Sequence, residues 1–226
     1  PPGTGKTHRL VHHYLNEEIN NLHTDPQKIA YVTFTKAAAL DGSKKVQDVF
    51  PGVELLYIST LHAMGTRELD ISRKQILTGT KWIQFKNVYP VYSDINFDSY
   101  VNEHGVTINQ DRNLQVINYS RAKLITLEKA CIDLNYHEGA VDIFRVQQLE
   151  RDIEYYKGQK NMYEFSDMIK LFVDEEKHLA LDAIFLDEAQ DLNPSQWKMF
   201  FYIEALCKRS YIAGDDDQTI FKFQGA

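Results

Sequence analysis

The beginning of the chain carries a glycine-rich stretch suited to phosphate binding. Gly3-Thr4-Gly5-Lys6-Thr7 matches the end of the pattern G-x-x-x-x-G-K-[ST], in which backbone N–H groups surround phosphate oxygens. In such a loop the lysine ammonium reaches the β- and γ-phosphates, and the threonine hydroxyl binds Mg²⁺. The first glycine of the pattern is absent, so a glycine-rich turn that happens to contain a lysine is the alternative.

Two carboxylates follow a short apolar segment towards the other end of the chain. Ala183–Leu186 is typical of a buried strand, and Asp187 and Glu188 come directly after it. In phosphate-loop enzymes an aspartate in this place holds Mg²⁺, and a neighbouring glutamate can polarise the attacking water. A solvated acidic pair that opens a turn is the alternative, but the glycine-rich stretch favours the catalytic interpretation.

The elements that would position these groups alternate between strand and helix. Nearly continuous apolar character predicts strands at Ile29–Thr33, Val53–Ser59, Ala183–Leu186 and Ser210–Ala213. Helical patterns lie between them, at His8–Leu22, Lys36–Val49 and Pro194–Cys207. This alternation predicts an α/β fold, in which helices cover both faces of a parallel sheet.

The character of the chain changes between Leu69 and Met162. Strand-like runs disappear there, and the clearest helical patterns are Leu114–Leu134 and Ala140–Lys157. We therefore expect a helical subdomain that interrupts the α/β domain.

Composition is that of an ordinary globular protein. Of the 226 residues, 43% are hydrophobic and 25% charged. No apolar run approaches the roughly 18 residues that a membrane span needs.

The two cysteines, Cys131 and Cys207, favour free thiols in a reducing cytoplasm. The net charge of −7 argues against a generic basic nucleic-acid coat, but not against a protein that grips one strand through a few contacts.

Six stretches together resemble successive motifs of superfamily 1 helicases, of the UvrD/Rep/PcrA branch. In chain order they read GTGKT, YVTFTKAAAL, STLHAM, YEFSDMI, FLDEAQDLNPSQ and AGDDDQTIFKFQGA, of which the last two contain the most specific signals. The resemblance implies a RecA-like ATP-binding domain 1A at residues 1–69 and 162–226, with its first strand missing. It also implies a helical subdomain 1B inserted at residues 70–161.

The resemblance further implies cofactors and residue roles. ATP would lie against Gly3, Thr4, Gly5, Lys6, Thr7, His8, Asp187 and Gln218, and Mg²⁺ against Thr7 and Asp187. The implied catalytic residues are Lys6, Glu188 as the general base, and Gln218, which would sense the γ-phosphate.

Five positions match those that bind a DNA strand in the family. They are Phe34, Thr60, His62, Phe221 and Phe223. Bases of a single strand stack on aromatic rings, which contributes about 1–3 kcal/mol per base. Core packing is the alternative for the phenylalanines.

The chain departs from the family pattern at three positions. His8 replaces an arginine, which puts the contact with adenine in doubt. Gln224 also replaces an arginine, which puts part of the binding to DNA in doubt, and Phe223 replaces a tryptophan. The family's second RecA-like domain, with its arginine finger, would follow residue 226. We therefore expect the N-terminal portion of a larger bacterial or phage-like cytoplasmic motor, which by itself binds nucleotide weakly and hydrolyses little.

The expected partners are single-stranded or partial duplex DNA and the second RecA-like domain, with no membrane. A non-motor, nucleotide-gated module that binds single strands is one alternative function. An unrelated phosphate-loop phosphotransferase is another, but nothing in its chemistry calls for the pair Phe221 and Phe223.

Overall fold

A computed structural model describes residues 5–101, 107–136 and 139–215 of the chain. The chain divides into two compact units. The sheet unit comprises residues 1–69 and 169–226, and the helical unit comprises residues 70–168.

The described residues form short strands and mostly short helices. The strands are β1 (Ile29–Thr33), β2 (Tyr57–Thr60), β3 (Ser99–Val101), β4 (Thr107–Asn109), β5 (Ala183–Leu186) and β6 (Arg209–Ile212). The α-helices are α1 (Lys6–Arg9), α2 (Lys36–Val49), α3 (Leu61–Glu68), α4 (Thr80–Val88), α5 (Arg112–Lys123), α6 (Leu127–Asp133), α7 (Ile143–Lys160), α8 (Phe165–Asp174) and α9 (Pro194–Glu204). After α1 the same helix continues as two π-helical segments, Leu10–Leu15 and Glu17–Asn21.

The sheet unit contains the parallel sheet that the sequence predicts. The strand order is β2-β1-β5-β6, and every neighbouring pair is parallel. The bounds of β1 and β5 match the prediction residue for residue. β2 begins four residues later than predicted, because Val53 closes a turn with Phe50 and its carbonyl accepts a hydrogen bond from Gln47.

Helices cover both faces of this sheet, because successive residues of a strand point to opposite sides. On one face Tyr31 and Phe185 pack with residues of α2 and of the helix that begins with α1. On the other face Val32 and Leu186 pack with residues of α3, α8 and α9. The predicted α/β fold with helices on both faces is therefore confirmed.

The prediction of one helix over Leu114–Leu134 is wrong. The structure has two helices there, because Leu124 adopts a left-handed conformation with φ 57° and ends α5. The hydroxyl of Thr126 then accepts a hydrogen bond from the N–H of Lys129 and starts α6. The apolar spacing continues across this break, so periodicity alone does not reveal it.

Two further features of the helical unit differ from the prediction. α7 lies three residues further along than Ala140–Lys157, because Asp142 caps its first N–H groups and left-handed Asn161 ends it. A short antiparallel hairpin of β3 and β4 also lies in the region predicted to lack strands.

A buried carboxylate ties the first helix to strand β6. The side chain of Glu18 is fully buried and accepts hydrogen bonds from Thr24 at 2.6 Å, from Tyr211 at 2.8 Å and from Arg209, whose Nη2 lies 2.8 Å from Oε2. Burial raises the pKa of Glu18, but these hydrogen bonds and the charge of Arg209 outweigh it, so the pKa lies below its ordinary value of 4.5.

This network predicts a specific dependence of stability on pH. A carboxyl group whose pKa is lowered in the folded state stabilises the fold above its unfolded-state pKa, and this contribution is lost as pH falls through the folded-state pKa. We expect Glu18→Gln to lower the free energy of unfolding at neutral pH by about 1.5–3 kcal/mol, the range for hydrogen bonds to charged groups. The variant should then lose less stability than the parent below pH 4.5.

Urea denaturation of both proteins between neutral and acidic pH measures this effect. Glu54→Gln, at an exposed position of the same unit, is the matched control. If the free energy of unfolding of Glu18→Gln falls as steeply with decreasing pH as that of the parent, Glu18 does not cause the dependence on pH.

Candidate nucleotide site

The described part of the glycine-rich loop begins at Gly5, since Gly3 and Thr4 lie outside the described residues. Gly5 adopts a left-handed conformation, with φ 73° and ψ 26°, directly before α1. A side chain would be strained in this conformation, so the sequence pattern has a physical reason at this glycine. The turn leads into α1, which carries Lys6 and Thr7 in its first turn.

Thr7 and Asp187 meet in the structure, 180 positions apart in the chain. The hydroxyl of Thr7 donates a hydrogen bond to Oδ2 of Asp187 at 2.7 Å. Asp187 directly follows β5, one of the two inner strands, and its backbone N–H extends the ladder by donating to the carbonyl of Val32. The loop and the acidic turn therefore come together at the carboxyl edge of the sheet, where open α/β sheets bind ligands.

The Asp187 carboxylate is buried and receives hydrogen bonds from neutral groups. Only 4% of the residue is exposed. Its Oδ2 also accepts a hydrogen bond from the hydroxyl of Tyr31 at 2.7 Å, and its Oδ1 accepts one from the N–H of Glu188 at 3.1 Å. All three donors are neutral groups, so the cation that this carboxylate could bind is not already supplied by one of them.

Lys6 points towards the end of strand β6. Its ammonium lies 3.5 Å from Oδ2 of Asp215, and the side chains are only 21% and 13% exposed. Asp215 follows β6, the neighbour of β5, so Lys6 stands at the same edge of the sheet as the Thr7–Asp187 contact.

Gln190 connects the acidic turn with the segment after β6. Its Nε2 donates to Oε2 of Glu188 at 2.6 Å, and its Oε1 accepts the N–H of Asp215 at 2.9 Å. Gly214 lies so close that an added Cβ would be 3.0 Å from the Cβ of Ala189. Glu188 itself has φ 57°, which is uncommon for a residue with a side chain and is more frequent at functional sites.

The residues present fit Mg²⁺ bound together with a phosphate ligand. A threonine hydroxyl and a carboxylate are the hard oxygen donors that Mg²⁺ takes, and it commonly completes its shell with substrate phosphates and water. Within the described ranges, no group of three or more His, Cys, Asp or Glu side chains could hold a metal ion without such help. The arrangement of Thr7 and Asp187 thus suits a nucleotide-bound cation better than a permanent all-protein metal site.

His8 is exposed on α1, and its ring stacks on that of His12 with 3.8 Å between ring centroids. Gln218, which the resemblance places at the γ-phosphate, lies outside the described residues.

Three of the positions predicted to bind a strand follow or end neighbouring strands. Phe34 comes just after β1 and is half-buried against the core beside α3. Thr60 ends β2 and is 7% exposed, and its hydroxyl accepts the N–H of Ala63 and caps α3. His62 lies half-buried on α3, and burial lowers its pKa to about 4, so its imidazole is neutral at pH 7. Phe221 and Phe223 lie outside the described residues.

Local sequence patterns give no role to Tyr31. Tyr31 continues an apolar strand and looks like any core tyrosine. Its contact with Asp187 depends on the pairing of β1 with β5, which no local pattern contains.

In the part of the chain that the structure describes, no helix is both long enough and apolar enough to cross a membrane.

Comparison with known proteins gives one consistent result. A family model, the UvrD/REP helicase N-terminal domain, matches residues 1–226. The chain is 28% identical to the ATP-dependent DNA helicase PcrA of Bacillus subtilis, over 99% of the chain and 31% of the relative. It is 25% identical to the ATP-dependent DNA helicase Rep of Buchnera aphidicola subsp. Baizongia pistaciae, over 99% of the chain and 34% of the relative. The chain therefore spans about a third of the length of these curated relatives.

Proposed function

The chain belongs to the UvrD/REP helicase N-terminal domain family, and on this basis we propose that it is the ATP-binding portion of a DNA translocase or helicase. The observation that carries the proposal is the hydrogen bond between Thr7 of the phosphate loop and Asp187 of the acidic turn. It brings together the two proposed halves of a nucleotide site, which are separated by most of the chain.

The positions of the described side chains support the following roles. Backbone N–H groups of the loop, from Gly3 to Thr7, would bind the phosphates, and the ammonium of Lys6, which lies near Asp215, would bind the β- and γ-oxygens. Thr7 and Asp187 would hold Mg²⁺, which would supply positive charge beside the phosphates.

Glu188 accepts a proton from the attacking water. The amide of Gln190 holds the Glu188 carboxylate and at the same time the N–H of Asp215. Gln190 thereby connects the general base Glu188 with the segment that leads to Gln218. Gln218 would couple the presence of the γ-phosphate to the DNA-binding residues. We place His8 near the nucleotide base, where its stacking on His12 would limit its movement.

DNA would bind along the carboxyl edge of the sheet, beyond β1 and β2. We propose that Phe34 and Phe221 with Phe223 stack on bases, while Thr60 and His62 contact the backbone. The neutral imidazole of His62 suits a hydrogen bond to a phosphate better than a charge pair with it. We further propose that the sheet unit is the RecA-like domain 1A and that the helical unit is the inserted subdomain 1B.

The longer protein would supply a second RecA-like domain to close over the nucleotide. An arginine donated in this way contributes about 10³–10⁵-fold in phosphate-loop enzymes, so this chain alone should hydrolyse ATP slowly. The free thiols of Cys131 and Cys207 agree with a cytoplasmic protein, and a bacterial or phage-like origin is part of the same proposal.

ATP hydrolysis with and without single-stranded DNA tests the function, measured on this chain and on the longer protein that contains it. We expect DNA to stimulate hydrolysis only in the longer protein, and Asp187→Asn to abolish the Mg²⁺-dependent rate. Binding of DNA and nucleotide without stimulation in either protein would instead indicate a non-motor binding module. Turnover with a small acceptor and indifference to DNA would indicate a phosphotransferase.

A further inference from the structure

Tyr31 is a buried tyrosine whose hydroxyl reaches the proposed magnesium carboxylate. It lies in the middle of β1 and has no exposed surface. Its hydroxyl donates to Oδ2 of Asp187 at 2.7 Å, the same oxygen that accepts the hydrogen bond from Thr7. One carboxylate oxygen therefore receives two hydroxyl donors, one from β1 and one from α1.

The ring reaches this position because of its neighbours on both sides. Tyr31 pairs with Phe185 across the parallel strands, and the two rings are nearly parallel, with centroids 6.3 Å apart. On the other side the ring lies against Gly42 of α2, where an added Cβ would be only 2.9 Å from Cε1 of Tyr31. Glycine is unfavourable in the interior of a helix, so its presence here is explained by the space that the ring occupies.

A tyrosine hydroxyl in a protein interior needs a hydrogen-bond partner, and many acceptors could satisfy it. This hydroxyl uses the carboxylate that ends β5, while the N–H of Glu188 binds the other oxygen. The two contacts together fix the plane of the carboxylate. Carboxylates that bind metals are oriented by such outer hydrogen bonds, and loss of one typically costs about 10–100-fold in metal affinity or activity.

We propose that Tyr31 is a positioning residue, whose hydroxyl holds the Asp187 carboxylate in the orientation that receives nucleotide-bound Mg²⁺, and that Gly42 provides the space for its ring. This inference rests on the proposed role of Asp187 as the magnesium carboxylate. It assigns to the strand β1 a part in metal binding, besides its part in the core of the sheet.

The test compares the metal affinities of Tyr31→Phe and the parent in the full-length protein. Binding of Mn²⁺ to the ADP complex is followed by electron paramagnetic resonance, and binding of ADP without metal is followed separately. We expect Mn²⁺ affinity to fall about 10-fold or more, by loss of the orienting hydrogen bond, with metal-free ADP affinity within about twofold of the parent. A tyrosine that only fills the core would leave the Mn²⁺ affinity unchanged when replaced by phenylalanine.

Tyr57→Phe is the matched control. It removes another tyrosine hydroxyl that is bonded to a carboxylate, that of Glu68, in the same unit. Its Mn²⁺ affinity should equal that of the parent. If Tyr31→Phe does not fold, Gly42→Ala is measured in the same way, because its added Cβ would lie 2.9 Å from Cε1 of Tyr31 and would crowd the ring. Parent-like Mn²⁺ affinity in the folded variant would overturn the proposal in either case.

Asp187→Asn separates this inference from the proposed function. If Asp187→Asn loses Mn²⁺ affinity and Tyr31→Phe does not, the positioning role fails and the magnesium site stands. If Asp187→Asn itself binds Mn²⁺ like the parent, the assignment of the carboxylate fails, and the role of Tyr31 fails with it.

Discussion

Replacing Glu188 with glutamine should reduce kcat for ATP hydrolysis in the full-length protein by about 10²–10⁴-fold, the usual contribution of a positioned general base. The substitution keeps the shape of the side chain and one of its oxygens, so the hydrogen bond from Gln190 can persist. The left-handed backbone at residue 188 is no more strained for glutamine than for glutamate. The loss would therefore report the basicity of the carboxylate and not the folding of the acidic turn.

The measurement is steady-state hydrolysis at saturating single-stranded DNA, together with the affinity for a fluorescent nucleotide analogue. Nucleotide affinity should stay within a few-fold of the parent, because Lys6, Thr7 and Asp187 are unchanged. Glu176→Gln is the matched control, since Glu176 is also a glutamate with positive φ, at 49°, and is exposed in the sheet unit. Full hydrolysis by Glu188→Gln would remove Glu188 from the mechanism.

Local sequence patterns predicted the sheet well, because its strands are simple. β1 and β5 are short apolar runs covered on both faces, and such runs show clearly in a sequence. The helical unit was harder, since breaks such as left-handed Leu124 interrupt a continuous apolar spacing. The start of α6 is determined by the N-cap residue Thr126, and a search for apolar periodicity does not detect a capping residue.

The candidate site also has one part that local sequence patterns predict and one part that they do not. The loop and the acidic turn can be found from sequence, because phosphate and Mg²⁺ chemistry demands particular residue types at fixed spacing. The side chains that contact these residues cannot be predicted from local sequence. Tyr31 reaches Asp187 only because β1 pairs with β5, and Gln190 reaches Asp215 only because the ends of β5 and β6 are adjacent. Motifs indicate which groups are candidates for the reaction, and the register of the sheet decides which side chains contact them.

An ion network in the helical unit combines two cations, of which Lys157 is buried, with four carboxylates. Lys157 on α7 is only 4% exposed, and its ammonium lies 2.7 Å from Glu154, 3.1 Å from Glu164 and 2.8 Å from Asp167. Arg121 on α5 binds Glu164 and Glu154, each at 2.6 Å, and also contacts Glu150. Burial lowers the pKa of Lys157, but the charges of Glu164 and Asp167 outweigh it, and the pKa lies above its ordinary value. The lysine is therefore charged wherever the protein is folded near neutral pH.

Lys157→Met should lower the free energy of unfolding of the helical unit by about 3–5 kcal/mol, the usual cost of removing one partner from a buried ion pair. Methionine fills a similar volume, but Glu164 then keeps Arg121 as its remaining cation from this network, and Asp167 loses its contact with Lys157. Hydrogen exchange of the α7 amides in increasing urea measures the effect in this unit alone. Lys160→Met, an exposed position three residues further along the same helix, is the control.

The dependence of this loss on pH distinguishes an unpaired charge from a packing defect. Without Lys157 the folded-state pKa values of Glu164 and Asp167 should rise, because burial disfavours their charged forms. A carboxyl group whose pKa is raised on folding contributes stability below its unfolded-state pKa and loses it as pH rises through the folded-state pKa. The difference in the free energy of unfolding between Lys157→Met and the parent should therefore become smaller as the pH is lowered from neutral towards about 4, which is near the pKa values of unfolded carboxyl groups. A difference that is the same at every pH, or no larger than that of Lys160→Met, would mean that α7 owes its stability to apolar packing and not to this network.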